Sequence, residues 1–372
     1  LTTHHSPLTT HHSPLTTHHS PTMKLLHSAL RFRVNYFSDL GRHQMVVWTP
    51  GDTPPVDAQM DVGPKIEHEV PNDVFRSDIA PLKLGRFYPS QLLHADHAPG
   101  PMFRVMKLNE TSFIANFSHP LQDRIFSIDS GHSDVSSEPI GKVEQLLEWS
   151  GMETQKQMPT DFEGEDAFVR EDERPDAEFY SVARKLAHVD AVCANRIRAL
   201  YRTVLPEHAR VLDLMAGWRS YLPDTVQSAV GLGLNAEELA DNPQLAERIL
   251  HDLNTDPMLP FPDASFDAVV CTVSFEYLTQ PRRIVAEARR ILKPGGMFVV
   301  ILSHRYFPPK VIRMWTQLHP MERMAWVGTL IKQAGFKKVE TYVERGFKRP
   351  RDDRYADKLT ESDPLFAIWG VA

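Results

Sequence analysis

The chain is poor in cysteine. Its two cysteines, Cys193 and Cys271, lie far apart in apolar or helical surroundings. That excludes a disulfide scaffold, and both thiols read as reduced and buried. No CxxC or Cys/His spacing occurs, so no metal site is expected. No apolar run reaches the roughly 18 residues of a membrane span, so no membrane association is read. No basic-then-apolar stretch marks a signal peptide, and the protein is taken as cytoplasmic. Positive charge is not in excess either: 41 Lys and Arg stand against 48 Asp and Glu. That balance, with no Lys/Arg segment interleaved with aromatics, argues against nucleic acid as a partner. A small-molecule substrate is the default, and homo-oligomerisation stays open.

What is present divides the chain into four parts. Residues 1–22 hold three copies of LTTHHSP. A seven-residue repeat without apolar periodicity cannot bury a core, so this part reads as a disordered tail, with Met23 as an alternative start. Residues 23–135 read as a small β-rich module. Arg31–Phe37 and Gln44–Thr49 flank a polar connection in hairpin fashion, and Phe103–Leu121 forms two alternating runs around Asn109-Glu110. Residues 136–178 are acidic and read as a solvated linker, with one short helix at 141–149. In residues 179–372 strands and helices alternate, the pattern of a doubly wound α/β sheet. A helix is expected from Ser181 to Val204.

Two resemblances follow from particular segments. The segment FIANFSHPL, Phe113–Leu121, resembles the turn of SlyD/FKBP-type prolyl isomerases, with Ser118 at that family's Asn position. It implies a prolyl pocket among Phe87, Tyr88, Phe103 and Phe117, or a module that covers substrate. The blocks LPFPDASFDAVVCTVSFEYL, Leu259–Leu278, and ILKPGG, Ile291–Gly296, are more specific. With VLDLMAGWRSYLP at Val211–Pro223, they resemble class I S-adenosylmethionine-dependent methyltransferases of the methyltransferase type 11 kind. The fold this implies is a Rossmann-like seven-stranded methyltransferase sheet with an antiparallel last strand, preceded by the small β-rich module.

The same resemblance implies a set of cofactor contacts for S-adenosyl-L-methionine. Asp213 matches the acid closing the first strand. Ala216 and Gly217 match the glycine loop, where small residues let backbone approach a ligand. Asp252 matches the acid that accepts the adenine amino group, with Leu253 beside the ring. Ser274 closes the fourth strand. Two positions depart from the family. Trp218 and Arg219 stand where further glycines are usual, and read as a pocket wall and a partner for the cofactor carboxylate. Gly233 stands where an acid normally takes the ribose hydroxyls. Glu237 is the favoured substitute, because a carboxylate accepts two hydroxyl protons at once, and Asn235 is the other candidate.

On the acceptor side the candidates are His304, His188, Tyr277 and Tyr306. They follow strand ends or lie on the segment expected to cover the cofactor, which is where ligands gather in open α/β sheets. A pocket of Trp218, Tyr277 and Tyr306 with few fixed charges favours a small thiol acceptor. A phenol or carboxylate oxygen with His304 as base is the alternative. A protein side chain presented by the β-rich module, or a cofactor-binding regulator without turnover, stays open.

Overall fold

The computed structural model describes residues 26–54, 62–94, 98–122, 124–152 and 162–372. The LTTHHSP repeats lie outside the described residues. In the N-terminal third, β1 (His27–Phe37) and β2 (Arg42–Pro50) form the expected hairpin. β3 (Glu67–Pro71), β4 (Phe87–Pro89), β5 (Met102–Leu108) and β6 (Ser112–Asn116) make a four-stranded antiparallel sheet in the order β3-β6-β5-β4. β7 (Phe126–Val135) returns to pair with β1.

Helices α1 (Gln145–Glu148), α2 (Asp176–Phe179) and α3 (Ala191–Val204) lead into the C-terminal part. There follow β8 (Arg210–Leu214), β9 (Ser228–Gly233), α4 (Ala236–Ala240), β10 (Glu247–Leu250), β11 (Phe266–Thr272), α5 (Pro281–Ile291) and β12 (Leu292–Leu302). The chain ends with α6 (Arg313–Gln317), α7 (Pro320–Gln333), β13 (Lys337–Arg345) and β14 (Leu365–Val371). These strands lie in the order β10-β9-β8-β11-β12-β14-β13, and β14 runs antiparallel to both neighbours. The Rossmann-like methyltransferase sheet with its antiparallel last strand is therefore present. Its central strands β11 and β12 are apolar on both faces, as strands covered on both sides must be.

The sheet does not stop at seven strands. β13 pairs in parallel with β2, and β2-β1-β7 carry the sheet on to ten. Residues grouped by sequence with the small module thus serve two sheets. The reason is the free edge of β13: a row of unpaired backbone groups is satisfied by the next strand available. Phe32, Val34, Met45 and Val47 then share one apolar core with α7 and the inner face of the C-terminal strands. The small sheet is docked on α7 by Arg86, whose Nε donates to Glu322 Oε1 at 3.0 Å, both side chains buried.

Three expectations change. The helix predicted from Ser181 begins only at Ala191, where Asp190 caps it by accepting from the N–H groups of Val192 and Cys193. That cap fixes the start, and residues 181–190 run as irregular backbone instead. The short helix predicted at 141–149 narrows to Gln145–Glu148. The acidic stretch is not a solvated linker at its C-terminal end. Asp176 is buried and accepts from Arg170 at 2.8 Å and from Lys310 at 3.0 Å, which docks the segment on the C-terminal part. The crossover from β8 to β9, residues 215–227, carries no helix. Tyr221 and Leu222 fill that face with α3.

The aromatics expected around a prolyl pocket are core. Tyr88, Phe103 and Phe117 pack with Phe75 and Phe113 between strands of the small sheet, and Phe87 belongs to the main core. His119 of the SHPL turn is bonded to the Leu147 carbonyl at 2.9 Å and tethers the turn to α1. Both cysteines are free and buried.

Candidate active site

A cleft opens at the carboxyl ends of β8, β9, β10 and β11, where an open α/β sheet takes its ligands. With its mouth it encloses about 1080 Å³. The strand ends are bent sharply to make it. Met215 and Val273, directly after β8 and near the end of β11, sit at φ +56° and +49°. Left-handed backbone is costly for a β-branched residue, and such strain gathers at ligand sites.

The loop after β8 is held by side chains where glycines are missing. Ser220 Oγ donates to Asp213 Oδ2 at 2.6 Å. Asn242, fully buried, donates from Nδ2 to Ser220 Oγ and to the Gly217 carbonyl, both at 2.9 Å. Trp218 donates its indole N–H to the Leu186 carbonyl at 3.3 Å, and the Arg219 guanidinium lies 4.3 Å over its ring. The loop is thereby tied to the segment that crosses the mouth. Burial lifts the Asp213 carboxyl to about 7 against the opposing Ser220 bond.

The missing acid at Gly233 has a steric cause. A Cβ there would lie 2.2 Å from the Ala216 carbonyl oxygen, so the loop leaves no room for a side chain. The acid on the cleft is Glu238, not Glu237. Glu237 is exposed and pairs with Lys185 at 3.0 Å, whereas Glu238 lines the cleft and accepts the Arg184 N–H at 2.6 Å. Successive residues of α4 point about 100° apart, so only one of the two can face inward. Asn235 also lines the cleft, but its amide is committed. It caps α4 by accepting from Glu238 N–H and donates to the Tyr180 carbonyl.

Asp213, Ala216, Gly217, Trp218, Arg219, Asn235, Asp252, Leu253 and Ser274 all line this one cleft, with His188 and Tyr277. Residues from five separate stretches of chain converge there. The family model for a methyltransferase domain matches residues 215–300. An uncharacterized methyltransferase of Synechocystis sp. is 30% identical over 185 residues, covering 45% of this chain and 86% of that protein. The chain belongs to the methyltransferase family.

Two further relatives are more distant. A demethylmenaquinone methyltransferase of Thermotoga maritima is 27% identical over 158 residues, 41% of this chain and 67% of that protein. A ubiquinone/menaquinone biosynthesis C-methyltransferase of Ralstonia pickettii is 26% identical over 110 residues, 30% of this chain. The chain spans 44% of the length of that relative. The methyltransferase uses S-adenosylmethionine, and the cleft fits it. Asp252 closes the turn after β10 as a carboxylate. Gly217 stands against Glu238, whose Oε2 a Cβ there would meet at 2.9 Å, so the loop keeps its backbone bare beside that carboxylate. The hydroxyl of Tyr180 and Nη1 of Arg184 are buried without a hydrogen-bond partner among the described residues.

The methyltransferase departs from expectation at His304 and Tyr306. Both lie on a second cavity behind the Ser303–Pro308 loop, and neither lines the cofactor cleft. His304 packs against Trp149 and Phe366, and burial, then Arg323, pushes its imidazole down to about 4. After β12 it is Phe307 that reaches the cleft, while His304, Arg305, Tyr306 and Pro308 face the second cavity. With Tyr306 removed, the three-residue soft pocket of Trp218, Tyr277 and Tyr306 does not form.

His188 does reach the cleft. Its ring stands edge-on to Phe307, centroids 5.6 Å apart, and burial, then Arg354 and Arg305, lowers its pKa. Tyr277 accepts the Phe307 N–H on its hydroxyl at 2.8 Å. Tyr180, on the segment read as a cover over the cofactor, lines the cleft, whereas Asp176, Arg184, Glu238 and Phe307, which also line it, and Asn242, which braces it, were not singled out. Only Glu238 carried a signal, as the neighbour of an acid already singled out. Among the described residues no His/Cys/Asp/Glu group is arranged to hold a metal, and no helix is long and apolar enough to cross a membrane.

Proposed function

We propose that the methyltransferase methylates an oxygen or carbon nucleophile on a small hydroxylated aromatic acceptor, with His188 as the proton acceptor. The observation that carries this is the imidazole of His188 on an aromatic wall of the cleft, edge-on to Phe307, where burial lowers its pKa. A hydroxyl must lose its proton as the new bond forms, and a base with a lowered pKa is unprotonated at neutral pH. Phe307 and Tyr277, with centroids 6.0 Å apart, offer a ring-sized apolar surface beside it. The demethylmenaquinone methyltransferase of Thermotoga maritima supports a ring compound as acceptor.

The lining supports an assignment of the cofactor's ends. Asp252 and Leu253 take the adenine, Glu238 the ribose, and Asp213, Ala216, Gly217 and Arg219 the methionyl part. The bound cofactor supplies a methyl group on a sulfonium sulfur, which leaves as a neutral thioether. The protein aligns the acceptor, excludes water and takes the hydroxyl proton onto His188.

The test is release of S-adenosylhomocysteine with a panel of phenols, naphthols, alkyl thiols and peptides. Turnover of a phenol or naphthol is expected, and His188→Asn lowers kcat by about 10²–10⁴-fold while leaving S-adenosylhomocysteine binding intact. Turnover of thiols with none of the ring hydroxyls restores the thiol acceptor and sinks this reading.

A further inference from the structure

Three rings of the cleft gather around Phe307. Tyr277 lies beside it with centroids 6.0 Å apart, and His188 and Tyr180 stand edge-on to it at 5.6 Å and 6.4 Å. Arg184 lines the same cleft, its guanidinium 5.8 Å from the centre of the Tyr180 ring and 4.2 Å over Phe179.

The segment that carries Tyr180 and Arg184 is held by its backbone. The Tyr180 N–H donates to the Asp176 carbonyl at 2.8 Å, and the Tyr180 carbonyl accepts from Asn235 at 2.9 Å. The Arg184 N–H donates to Glu238 at 2.6 Å, and the Leu186 carbonyl accepts from Trp218 at 3.3 Å. Neither side chain takes part in this anchoring. The Tyr180 hydroxyl and Arg184 Nη1 are buried without a hydrogen-bond partner, and Arg184 makes no ion pair, among the described residues. Buried polar groups of a folded protein are normally bonded. Two neighbouring donors left over in the wall of a ligand cleft mark where a ligand's acceptor atom is received.

Both groups are donors at neutral pH. A guanidinium has no acceptor atom, and burial, with Asp176 and Glu276, pushes the Tyr180 phenol above its usual range. Two donors, one of them cationic, select a negatively charged oxygen, and a guanidinium fork suits a carboxylate. The protein does not supply it: Asp176 is matched by Arg170 at 2.8 Å and Lys310 at 3.0 Å. The cofactor's ends, as assigned above, are provided for by Asp252, Leu253, Glu238 and Arg219.

We infer that Arg184 and Tyr180 are the specificity pair of the acceptor site, holding a carboxylate on the acceptor's ring while its hydroxyl faces His188 beside Phe307. The inference rests on the acceptor reading above and narrows it to hydroxylated aromatic acids. All of these groups line one cleft.

The experiment is calorimetric titration of the full chain, with and without S-adenosylhomocysteine. The probes are 4-hydroxybenzoate and its neutral counterpart 4-hydroxybenzamide. The acid is expected to bind about tenfold or more tightly than the amide, as one charge-assisted pair supplies. Arg184→Gln erases that preference and Arg184→Lys keeps part of it. Tyr180→Phe keeps the ring packing and weakens the acid several-fold. S-adenosylhomocysteine binds all three variants within about twofold of the parent. Equal binding of acid and amide, binding of neither, or a preference that survives Arg184→Gln overturns the pair. Loss of S-adenosylhomocysteine affinity in Arg184→Gln as large as the loss for the acid assigns the guanidinium to the cofactor and overturns it as well. Where the parent binds no S-adenosylhomocysteine, the cofactor reading falls and the acid titration alone decides the pair. The acceptor reading fails separately. Arg184-dependent binding of the acid without turnover sinks His188 as base and leaves the pair standing, and turnover of phenols with no preference for the acid does the reverse.

Discussion

Ser220 donates its hydroxyl hydrogen to Asp213 across 2.6 Å, and Asn242 donates in turn to Ser220 across 2.9 Å. This buried chain joins the end of β8 to the stretch after α4. It holds the turn after β8 in place at the cleft with side chains. Asn242→Ala leaves the Ser220 hydroxyl and the Gly217 carbonyl short of a donor. An unsatisfied buried group costs about 1–3 kcal/mol, so a lower thermal midpoint and weaker S-adenosylhomocysteine binding are expected together. A midpoint that falls while cofactor affinity stays unchanged would show that the brace is structural alone.

Glu237 and Glu238 separate cleanly. Glu238→Gln is expected to weaken S-adenosylhomocysteine binding about tenfold, the size of one lost charge-assisted bond. Glu237→Gln removes an exposed partner of Lys185 and should leave affinity within twofold or so, as surface pairs contribute little. Calorimetric titration of both variants decides. The reverse order of effects would return the ribose to Glu237.

Lys310 is completely buried and faces Asp176 at 3.0 Å, with the carbonyls of Asp172 and Arg174 on its remaining hydrogens. Burial draws the Asp176 carboxyl up, but bonds from Asn254, Arg170 and Lys310 outweigh it and hold the group below its usual range. Lys310→Met breaks one member of a buried ionic group, a loss of about 3–5 kcal/mol. The segment around Asp176 should then become the first site of proteolytic nicking. Equal protease resistance in variant and parent would mean that the segment is held by packing alone.

Glu276 follows β11 fully buried, and neither carboxyl oxygen has a hydrogen-bond partner among the described residues. Burial lifts it to about 8, against the attraction of Arg323. Between its unfolded value near 4.5 and about 8 the folded chain binds the extra proton, so stability falls as pH rises through that window. Glu276→Gln lacks this slope. Melting curves from pH 5 to pH 9 should show the variant gaining on the parent as pH increases. Parallel curves would place water or another donor on the carboxylate.

Much of the sheet was legible because its strands are continuous apolar runs with turn chemistry between them. Phe266–Thr272 and Leu365–Val371 fall almost where the pattern puts them. That residues following strand ends would line one cleft was legible for the same reason: a strand end has a fixed place in an open sheet. Side chains on loops were not. His304 and Tyr306 stand beside Phe307 in sequence, yet face a different cavity, and nothing in local spacing says which residue of an irregular loop turns inward. Asn242 sits far along the chain from the loop it braces.

The sequence by itself determined the sheet, its order of strands and helices, and the family, since apolar periodicity and two motif blocks act locally. Only the tertiary structure decided three other things. It carried β2, β1 and β7 onto the edge of β13, because unpaired backbone takes the nearest strand. It moved the acid from Gly233 to Glu238, because the Ala216 carbonyl occupies the space a side chain would need. It set His188 rather than His304 on the cleft, because long-range packing alone orients a loop.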